Sequence, residues 1–189
     1  MLQEIIMAGF GGQGIMSMGQ LLTYAGMLEN KHVAWIPSYG PEMRGGTANC
    51  GVTISDREIS SPVIFEPTAA IIMNRPSLDK FELTVKPGGF ILVNSSLIEQ
   101  KVQRTDIKAC YIPANELAEG LGSSRVSGMV ILGALLELTK VVSFDSVEES
   151  LKKVLPEYRY NLIPLNRQAL EKGAGVVRQA MKFAVANPR

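Results

Sequence analysis

A glycine-rich turn near the amino terminus is the first pattern that could do chemistry. Gly9-Phe10-Gly11-Gly12-Gln13-Gly14 has G-x-G-x-x-G spacing between a predicted strand at 4–8 and a predicted helix at 15–28. Glycines permit positive φ and close approach of the backbone to a ligand, and the free N–H groups at a helix start favour a pyrophosphate. The turn therefore predicts phosphate contacts from Gly9, Gly11, Gly12, Gln13 and Gly14. The alternative is that the glycines only allow the helix to pack closely on the sheet.

The next strand does not support a dinucleotide site. NAD binding would need an Asp or Glu at the end of the second strand to hold the ribose hydroxyls, but Ile36, Pro37 and Ser38 stand there. Glu29 ends the preceding helix, where we expect it to face water. NAD binding is therefore disfavoured.

A second candidate site follows the predicted strand at 32–36, which Pro37 is expected to stop. The segment 38–47 comes after the carboxyl end of that strand, where open α/β sheets usually bind ligands. Arg44 offers a planar fork for a phosphate or a carboxylate, and two glycines beside it allow close approach. Contacts with an anion or a partner subunit are predicted for Ser38, Tyr39, Gly40, Arg44, Gly45, Gly46 and Thr47. The alternative is a surface turn shaped by Gly40-Pro41.

Strands and helices alternate along the chain and would position both segments. Apolar runs at 69–73, 90–93 and 109–112 predict buried strands, and further helices are predicted at 115–121, 126–139, 146–155 and 164–185. Ser77 is predicted to cap a helix that ends at Leu83. A strand at 48–54, a turn at Asp56-Arg57 and a return strand at 58–60 predict a hairpin. The fold class is α/β, with a mainly parallel central sheet covered by helices, a small antiparallel β extension and a single domain over residues 1–189.

Composition excludes several functional classes. Lys and Arg total 19 against 18 Asp and Glu, so a net charge of +1 provides no broad field for nucleic acid or an anionic membrane. The sequence has no apolar run of membrane-spanning length and starts without a signal-peptide pattern, so we expect a cytoplasmic protein. Cys50 and Cys110 are isolated and are expected to be buried thiols, and His32 lacks neighbouring ligands. No metal site and no catalytic residue is predicted in this chain.

The predicted helix at 15–28 is rich in methionine and leucine. Met16, Met18 and Met27 occur with three leucines at helical spacing, which is typical of a core-facing stripe. We expect these side chains to fill the core, with some contact to a partner.

Together, the glycine turn and the run from Ser38 through Thr47-Ala48-Asn49-Cys50 resemble the gamma subunit of 2-oxoacid:ferredoxin oxidoreductases. The resemblance extends to Ile59-Ser60-Ser61-Pro62, Asn74-Arg75-Pro76 and Leu132-Gly133-Ala134. It implies a hetero-oligomer of anaerobic metabolism that decarboxylates a 2-oxoacid oxidatively with coenzyme A, yielding an acyl-CoA, CO₂ and reduced ferredoxin. Thiamine diphosphate and 4Fe-4S clusters are expected in alpha and beta partner subunits, with a delta subunit as a further candidate. Coenzyme A is the expected ligand of the region that this chain helps to form.

The resemblance also has a departure and a preference. The run Arg125-Val126-Ser127-Gly128-Met129 lacks the asparagine that relatives often have shortly before the methionine, so a contact from that side chain is not expected. The form of segment 37–46 resembles enzymes of 2-oxoglutarate or branched-chain 2-oxoacids more than those of pyruvate, and 2-oxoglutarate is favoured. The alternative function is a free-standing nucleotide-binding regulatory protein.

Overall fold

The computed structural model describes residues 1–39 and 47–186, in which strands and helices alternate. The strands are β1 (Leu2–Phe10), β2 (His32–Tyr39), β3 (Thr47–Ser55), β4 (Ala69–Ile72), β5 (Phe90–Asn94) and β6 (Lys108–Ile112). The α-helices are α1 (Ile15–Leu28), α2 (Arg75–Phe81), α3 (Ala114–Glu119), α4 (Ser127–Thr139), α5 (Phe144–Val154) and α6 (Ile163–Ala186). The predicted bounds of α1 are confirmed residue for residue, and the other predicted helices are present with ends shifted by one or two residues.

One mixed sheet joins these strands in the order β2-β3-β1-β4-β5-β6. The strands β1, β4, β5 and β6 pair in parallel, whereas β3 lies antiparallel to both β1 and β2. The predicted α/β fold, with a mainly parallel sheet and an antiparallel extension, is confirmed. Because β4 is covered on both faces, all of Ala69–Ile72 is buried, as the continuous apolar run predicts.

The two faces of the sheet carry separate hydrophobic cores. Ile5 and Met7 of β1 belong to the core that includes side chains of α1, α4 and α6. Ile6 and Ala8 face the other side and pack in the core that includes Leu78 of α2. This alternation follows from the two-residue period of a strand, and it places α1 and α2 on opposite faces.

The predicted hairpin after β3 is wrong, because both edges of β3 are already occupied. Register pairs Thr53 of β3 with Glu4 of β1 on one side and with Ala34 of β2 on the other. A return strand from residues 58–60 would have no free edge of β3 to join, and these residues are not in a strand.

The strand β2 continues through Pro37, where the sequence predicted a stop. Pro37 is opposite Cys50 in the register, and β2 ends at Tyr39. Since β2 is the outermost strand of the sheet, a proline there need not remove a hydrogen bond between strands.

The cap of α2 also differs from the prediction. The side chain of Asn74, not of Ser77, caps this helix, and its Oδ1 accepts a hydrogen bond of 2.9 Å from the Ser77 N–H. Pro76 lies in the first turn, where no donor is needed. Asn74 follows β4 closely, so the helix begins at Arg75, two residues before the predicted cap at Ser77.

Glu29 does not face water, contrary to the sequence prediction. Its carboxylate accepts a 2.6 Å hydrogen bond from the Ser143 N–H and pairs with Lys31 at 2.9 Å, and its side chain is only 23% exposed. Partial burial acts to raise the pKa of Glu29, but the bonds from Ser143, Lys31 and Ser146 outweigh it and lower the pKa to about 2. Glu29 thus joins the end of α1 to the start of α5.

Two glycines allow α4 and α6 to pack with their backbones in contact. A Cβ at Gly133 would overlap the Leu170 carbonyl, and a Cβ at Gly173 would overlap the Val130 carbonyl.

In the described part of the chain, no helix is long and apolar enough to cross a membrane.

Gly173→Ala should therefore lower the free energy of unfolding by at least about 2 kcal/mol, because the new methyl group meets a backbone that cannot move aside. Gly175→Ala is the matched control two residues away on the same helix, since its Cβ would meet nothing within 4 Å. It should raise stability by up to about 1 kcal/mol through helix propensity. Urea unfolding of both variants makes the comparison, and equal effects would contradict the packing.

The acid dependence of stability should report on Glu29. Its folded pKa of about 2 lies below the usual value of 4.5, so its contribution is complete above about pH 5 and is lost as the pH falls towards 2. Wild type should lose about 1–3 kcal/mol more than Glu29→Gln across this window. Urea unfolding at several pH values measures the difference. The exposed Glu119→Gln serves as control and should follow wild type.

Candidate functional site

The glycine turn between β1 and α1 has a backbone that needs glycine at two positions. Gly12 has φ +94° and Gly14 has φ +79°, both in the left-handed region, and a Cβ at either position would meet only open space. The turn is closed by a hydrogen bond of 3.2 Å from the Gln13 N–H to the Phe10 carbonyl. These two glycines are therefore required for conformation and not for packing.

Gly9 is required for a different reason. A Cβ there would stand 2.5 Å from Gln13 Oε1 and 2.7 Å from the Cβ of Met73. The end of β1 and the residue that follows β4 thus lie side by side with no room for a methyl group, which supports the close-packing interpretation of the motif at this position.

The side chain of Gln13 braces the turn. Its Oε1 accepts a 2.6 Å hydrogen bond from the Phe10 N–H, and its Nε2 donates a 3.0 Å bond to the Met73 carbonyl. Both ends of the amide are thus engaged with backbone, one at the end of β1 and the other just after β4. In this structure Gln13 holds the turn in shape, and a contact from it to a ligand stays a prediction.

A cleft of about 290 Å³ opens where the turn meets α1. It is lined by Phe10, Gly11, Gly12, Gly14, Ile15, Met16, Ser17 and Ala48. Gly14 is the N-cap of α1, no side chain caps the helix, and its first turn contains no acidic residue. The backbone N–H groups of that turn and the positive end of the helix dipole therefore face the cleft without competition from a side chain, an arrangement that favours an anion.

The register of the sheet brings part of the second predicted segment to the same edge. Thr47 is opposite Phe10, and Ala48 is opposite both Gly9 and Tyr39. Ser38 and Tyr39 lie on β2, two strand spacings or about 10 Å from β1. The remaining predicted residues of this segment, Gly40, Arg44, Gly45 and Gly46, lie outside the described residues.

Sequence reasoning missed six residues at this edge, namely Phe10, Ile15, Met16, Ser17, Ala48 and Asn74. Met16, Ser17 and Ala48 line the cleft. Their places there follow only from the start of α1 and from the register of β3 against β1. Asn74 follows β4, next to the Met73 carbonyl that holds Gln13, and its buried Nδ2 has no acceptor among the described residues. The signal for Asn74 was its place in the Asn74-Arg75-Pro76 run directly after a buried strand.

The potential metal ligands and the two cysteines were compared across the part of the chain that the structure describes. No group of three His, Cys, Asp or Glu side chains comes close enough there to hold a metal ion. Cys50 is a buried free thiol, and burial raises its pKa to about 11, which leaves it protonated and weakly nucleophilic. Burial also raises the pKa of the half-buried Cys110.

Comparison with known proteins identifies relatives of the whole described fold. The family model of pyruvate ferredoxin/flavodoxin oxidoreductase matches residues 4–176. The ketoisovalerate oxidoreductase subunit VorA of Methanothermobacter thermautotrophicus is 37% identical over 177 residues, or 93% of this chain. The 2-oxoglutarate synthase subunit KorC of Methanocaldococcus jannaschii is 36% identical over 160 residues, or 83% of this chain.

These relatives differ in length. The match covers 36% of VorA, so this chain spans about a third of that protein, but it covers 86% of KorC. Among solved structures, the keto/oxoacid ferredoxin oxidoreductase gamma subunit of Geobacter sulfurreducens is similar, with a TM-score of 0.79 and 30% identity. The match covers 94% of this chain and 99% of that subunit.

Gln13→Glu tests the brace of the glycine turn. The substitution keeps an acceptor for the Phe10 N–H but turns a carboxylate oxygen towards the Met73 carbonyl, so stability at neutral pH should fall by about 1–3 kcal/mol. The exposed Gln168→Glu in α6 is the control and should change stability by less than about 0.5 kcal/mol. Thermal unfolding measures both, and a Gln13→Glu variant as stable as the control would show that the brace contributes nothing.

Proposed function

Because this chain belongs to the pyruvate ferredoxin/flavodoxin oxidoreductase family, we propose that it is the gamma subunit of a 2-oxoacid:ferredoxin oxidoreductase. The complete enzyme converts a 2-oxoacid and coenzyme A to an acyl-CoA and CO₂, and the two electrons released reduce ferredoxin. Thiamine diphosphate supplies the carbanion chemistry when bound to a partner subunit. We assign no catalytic residue to this chain, which acts as a single gamma-subunit domain over residues 1–189.

The proposed binding role rests on the cleft at the start of α1. Its walls are the backbone of Gly11, Gly12 and Gly14, and the uncapped helix start supplies donors for negatively charged oxygens. Coenzyme A carries a pyrophosphate that suits these donors. The described lining contains no cationic side chain, so we propose that the Arg44 guanidinium supplies the positive charge, with the neighbouring glycines allowing close approach.

The remaining residues of the proposed coenzyme A region lie around this cleft. Gly9 and Gln13 keep the turn in shape, while Ser38, Tyr39 and Thr47 lie at the same edge of the sheet. None of these side chains is proposed to transfer a proton or to touch the 2-oxoacid. Their role is to bind and orient coenzyme A.

We favour 2-oxoglutarate as the 2-oxoacid, on the likeness of segment 37–46 to enzymes of this substrate. The names of the relatives include both ketoisovalerate and 2-oxoglutarate enzymes, so a branched-chain 2-oxoacid is the competing substrate. The partners proposed are the alpha and beta chains, with delta as a further candidate, and ferredoxin is met through the complex. The free thiols Cys50 and Cys110 suit the reducing cytoplasm.

Purification of the tagged chain from its source cells under anaerobic conditions tests this proposal. We expect larger chains that carry thiamine diphosphate and 4Fe-4S clusters to be recovered with it, together with coenzyme A-dependent ferredoxin reduction that is fastest with 2-oxoglutarate. A solitary chain that binds a nucleotide by itself would favour a regulatory protein and contradict the proposal. Fastest turnover with a branched-chain 2-oxoacid would correct the substrate alone.

Arg44→Ala in the purified complex tests the coenzyme A contact. Loss of a charge-assisted bond should raise the KM for coenzyme A about 10- to 100-fold, with the KM for the 2-oxoacid unchanged. Arg57→Ala is the matched control, because Arg57 is exposed at the opposite end of the sheet from the glycine turn. If Arg44→Ala leaves the KM for coenzyme A at the wild-type value, the assignment of Arg44 is wrong.

A further inference from the structure

The loop that follows β3 lies over the sheet at the end opposite the glycine turn. Ile64 anchors this loop, since its side chain packs against the core on the α2 side and stands 3.1 Å from the position of a Cβ at Gly51 of β3. At the start of the loop, Ser55 Oγ accepts a 3.0 Å hydrogen bond from the Arg57 N–H. Residues 57–63 are therefore held above the sheet, although they do not pair with it as a strand.

A cavity of about 500 Å³ lies between this loop and the sheet. Its lining includes Glu4 of β1 and Thr53 of β3, which are directly opposite in the register and thus point to the same face. Residues 57–61 and Val63 line it from the loop. Its size falls within the range of about 300–1,000 Å³ that is typical of small-molecule sites.

Two polar groups in the sheet part of the cavity have no partner among the described residues. Glu4 is half-buried, and its carboxylate forms no hydrogen bond or ion pair there. Thr53 is only 1% exposed, and its Oγ1 has no hydrogen-bond partner. A buried hydroxyl without a partner is unfavourable. Because Thr53 lines the cavity, a ligand bound there can complete this hydrogen bond.

The loop adds charges of both signs. Arg57 and Glu58 line the cavity, both are exposed, and neither forms an ion pair with another described residue. Together with Glu4, the cavity offers two carboxylates and one guanidinium. Carboxylates bind an ammonium group, and a guanidinium binds a carboxylate through two parallel hydrogen bonds. A ligand that carries one positive and one negative group therefore meets a complementary charge at each.

Aliphatic side chains complete the lining. Leu2 is 51% and Val63 is 49% exposed, and Ile59 is half-buried. A ligand with an aliphatic side chain would remove part of this apolar surface from water, which is favourable. The cavity thus combines charges of both signs with an apolar wall.

From these observations we infer that this cavity is a binding site for an aliphatic α-amino acid in its zwitterionic form. The ammonium group binds the Glu4 carboxylate and donates a hydrogen bond to the Thr53 hydroxyl. The carboxylate of the ligand faces Arg57, and its side chain covers Leu2 and Val63. The site is separate from the proposed coenzyme A cleft, because the two lie at opposite ends of β1, and the inference does not depend on the proposed function.

Titration calorimetry of the full-length chain with L-leucine tests the inference. We expect a Kd of about 1 mM or tighter for the wild type and at least about tenfold weaker binding for Glu4→Gln, because a neutral amide holds an ammonium group less strongly. Glu99→Gln is the matched control, since Glu99 is exposed in the loop after β5, outside the lining, and it should bind like wild type. Isoamylamine and 4-methylpentanoate each lack one charged group of L-leucine, and both should bind the wild type at least about tenfold more weakly.

Thr53→Val is a second variant that keeps the shape of the side chain and removes the hydroxyl. It should weaken L-leucine binding by about three- to tenfold without lowering the melting temperature of the ligand-free chain, because no hydrogen bond within the described residues is lost. Circular dichroism shows whether each variant is folded.

Three results would each overturn the inference. The first is no binding of L-leucine to the wild type at millimolar concentration, which would leave water as the occupant of the cavity. The second is a folded Glu4→Gln variant that binds L-leucine like wild type, since the ligand would then lie elsewhere. The third is isoamylamine binding as tightly as L-leucine, because the guanidinium would then have no role. None of these results bears on the proposed function, which the anaerobic purification tests separately.

Discussion

Two hydrogen bonds of one side-chain amide, one accepted and one donated, brace the edge of the sheet on which the candidate site depends. Gln13 accepts from the end of β1 and donates to the carbonyl just after β4, so it ties adjacent parallel strands to the start of α1. This amide can reach both partners because Gly12 and Gly14 adopt left-handed backbone conformations and because Gly9 has no side chain.

The sequence was sufficient for the parts of the fold that depend on local pattern. Continuous apolar runs identified β4 and most of β5, because strands covered on both faces consist mainly of apolar residues. The same pattern identified the apolar end of β6, although the first residues of that strand are exposed. The bounds of α1 followed from the glycine turn before it and from its apolar spacing. The predictions that were wrong concern positions whose structure depends on residues far away in the sequence. The hairpin after β3 fails because β1 and β2 already occupy both of its edges, and Glu29 is engaged because Ser143, far along the chain, lies beside it.

The same division holds for the candidate site. The spacing of the glycines located the turn, since Gly12 and Gly14 each answer to a local backbone requirement. Spacing could not show that Gln13 would face inward, because its acceptor on Met73 lies 60 residues away. The spacing also could not show that Ala48 lines the cleft, because this depends on the antiparallel register of β3 against β1. The Met-rich helix shows the limit most clearly, because Met18 fills the core as expected while Met27 is exposed.

The position of Pro37 bears on how the outer edge of the sheet meets other protein chains. An outer strand with unpaired N–H and C=O groups is a template on which other chains can aggregate. Pro37 removes one donor from β2, and the opposite outer strand, β6, is only five residues long and begins with a lysine. Both ends of the sheet are therefore poor sites for adding a foreign strand.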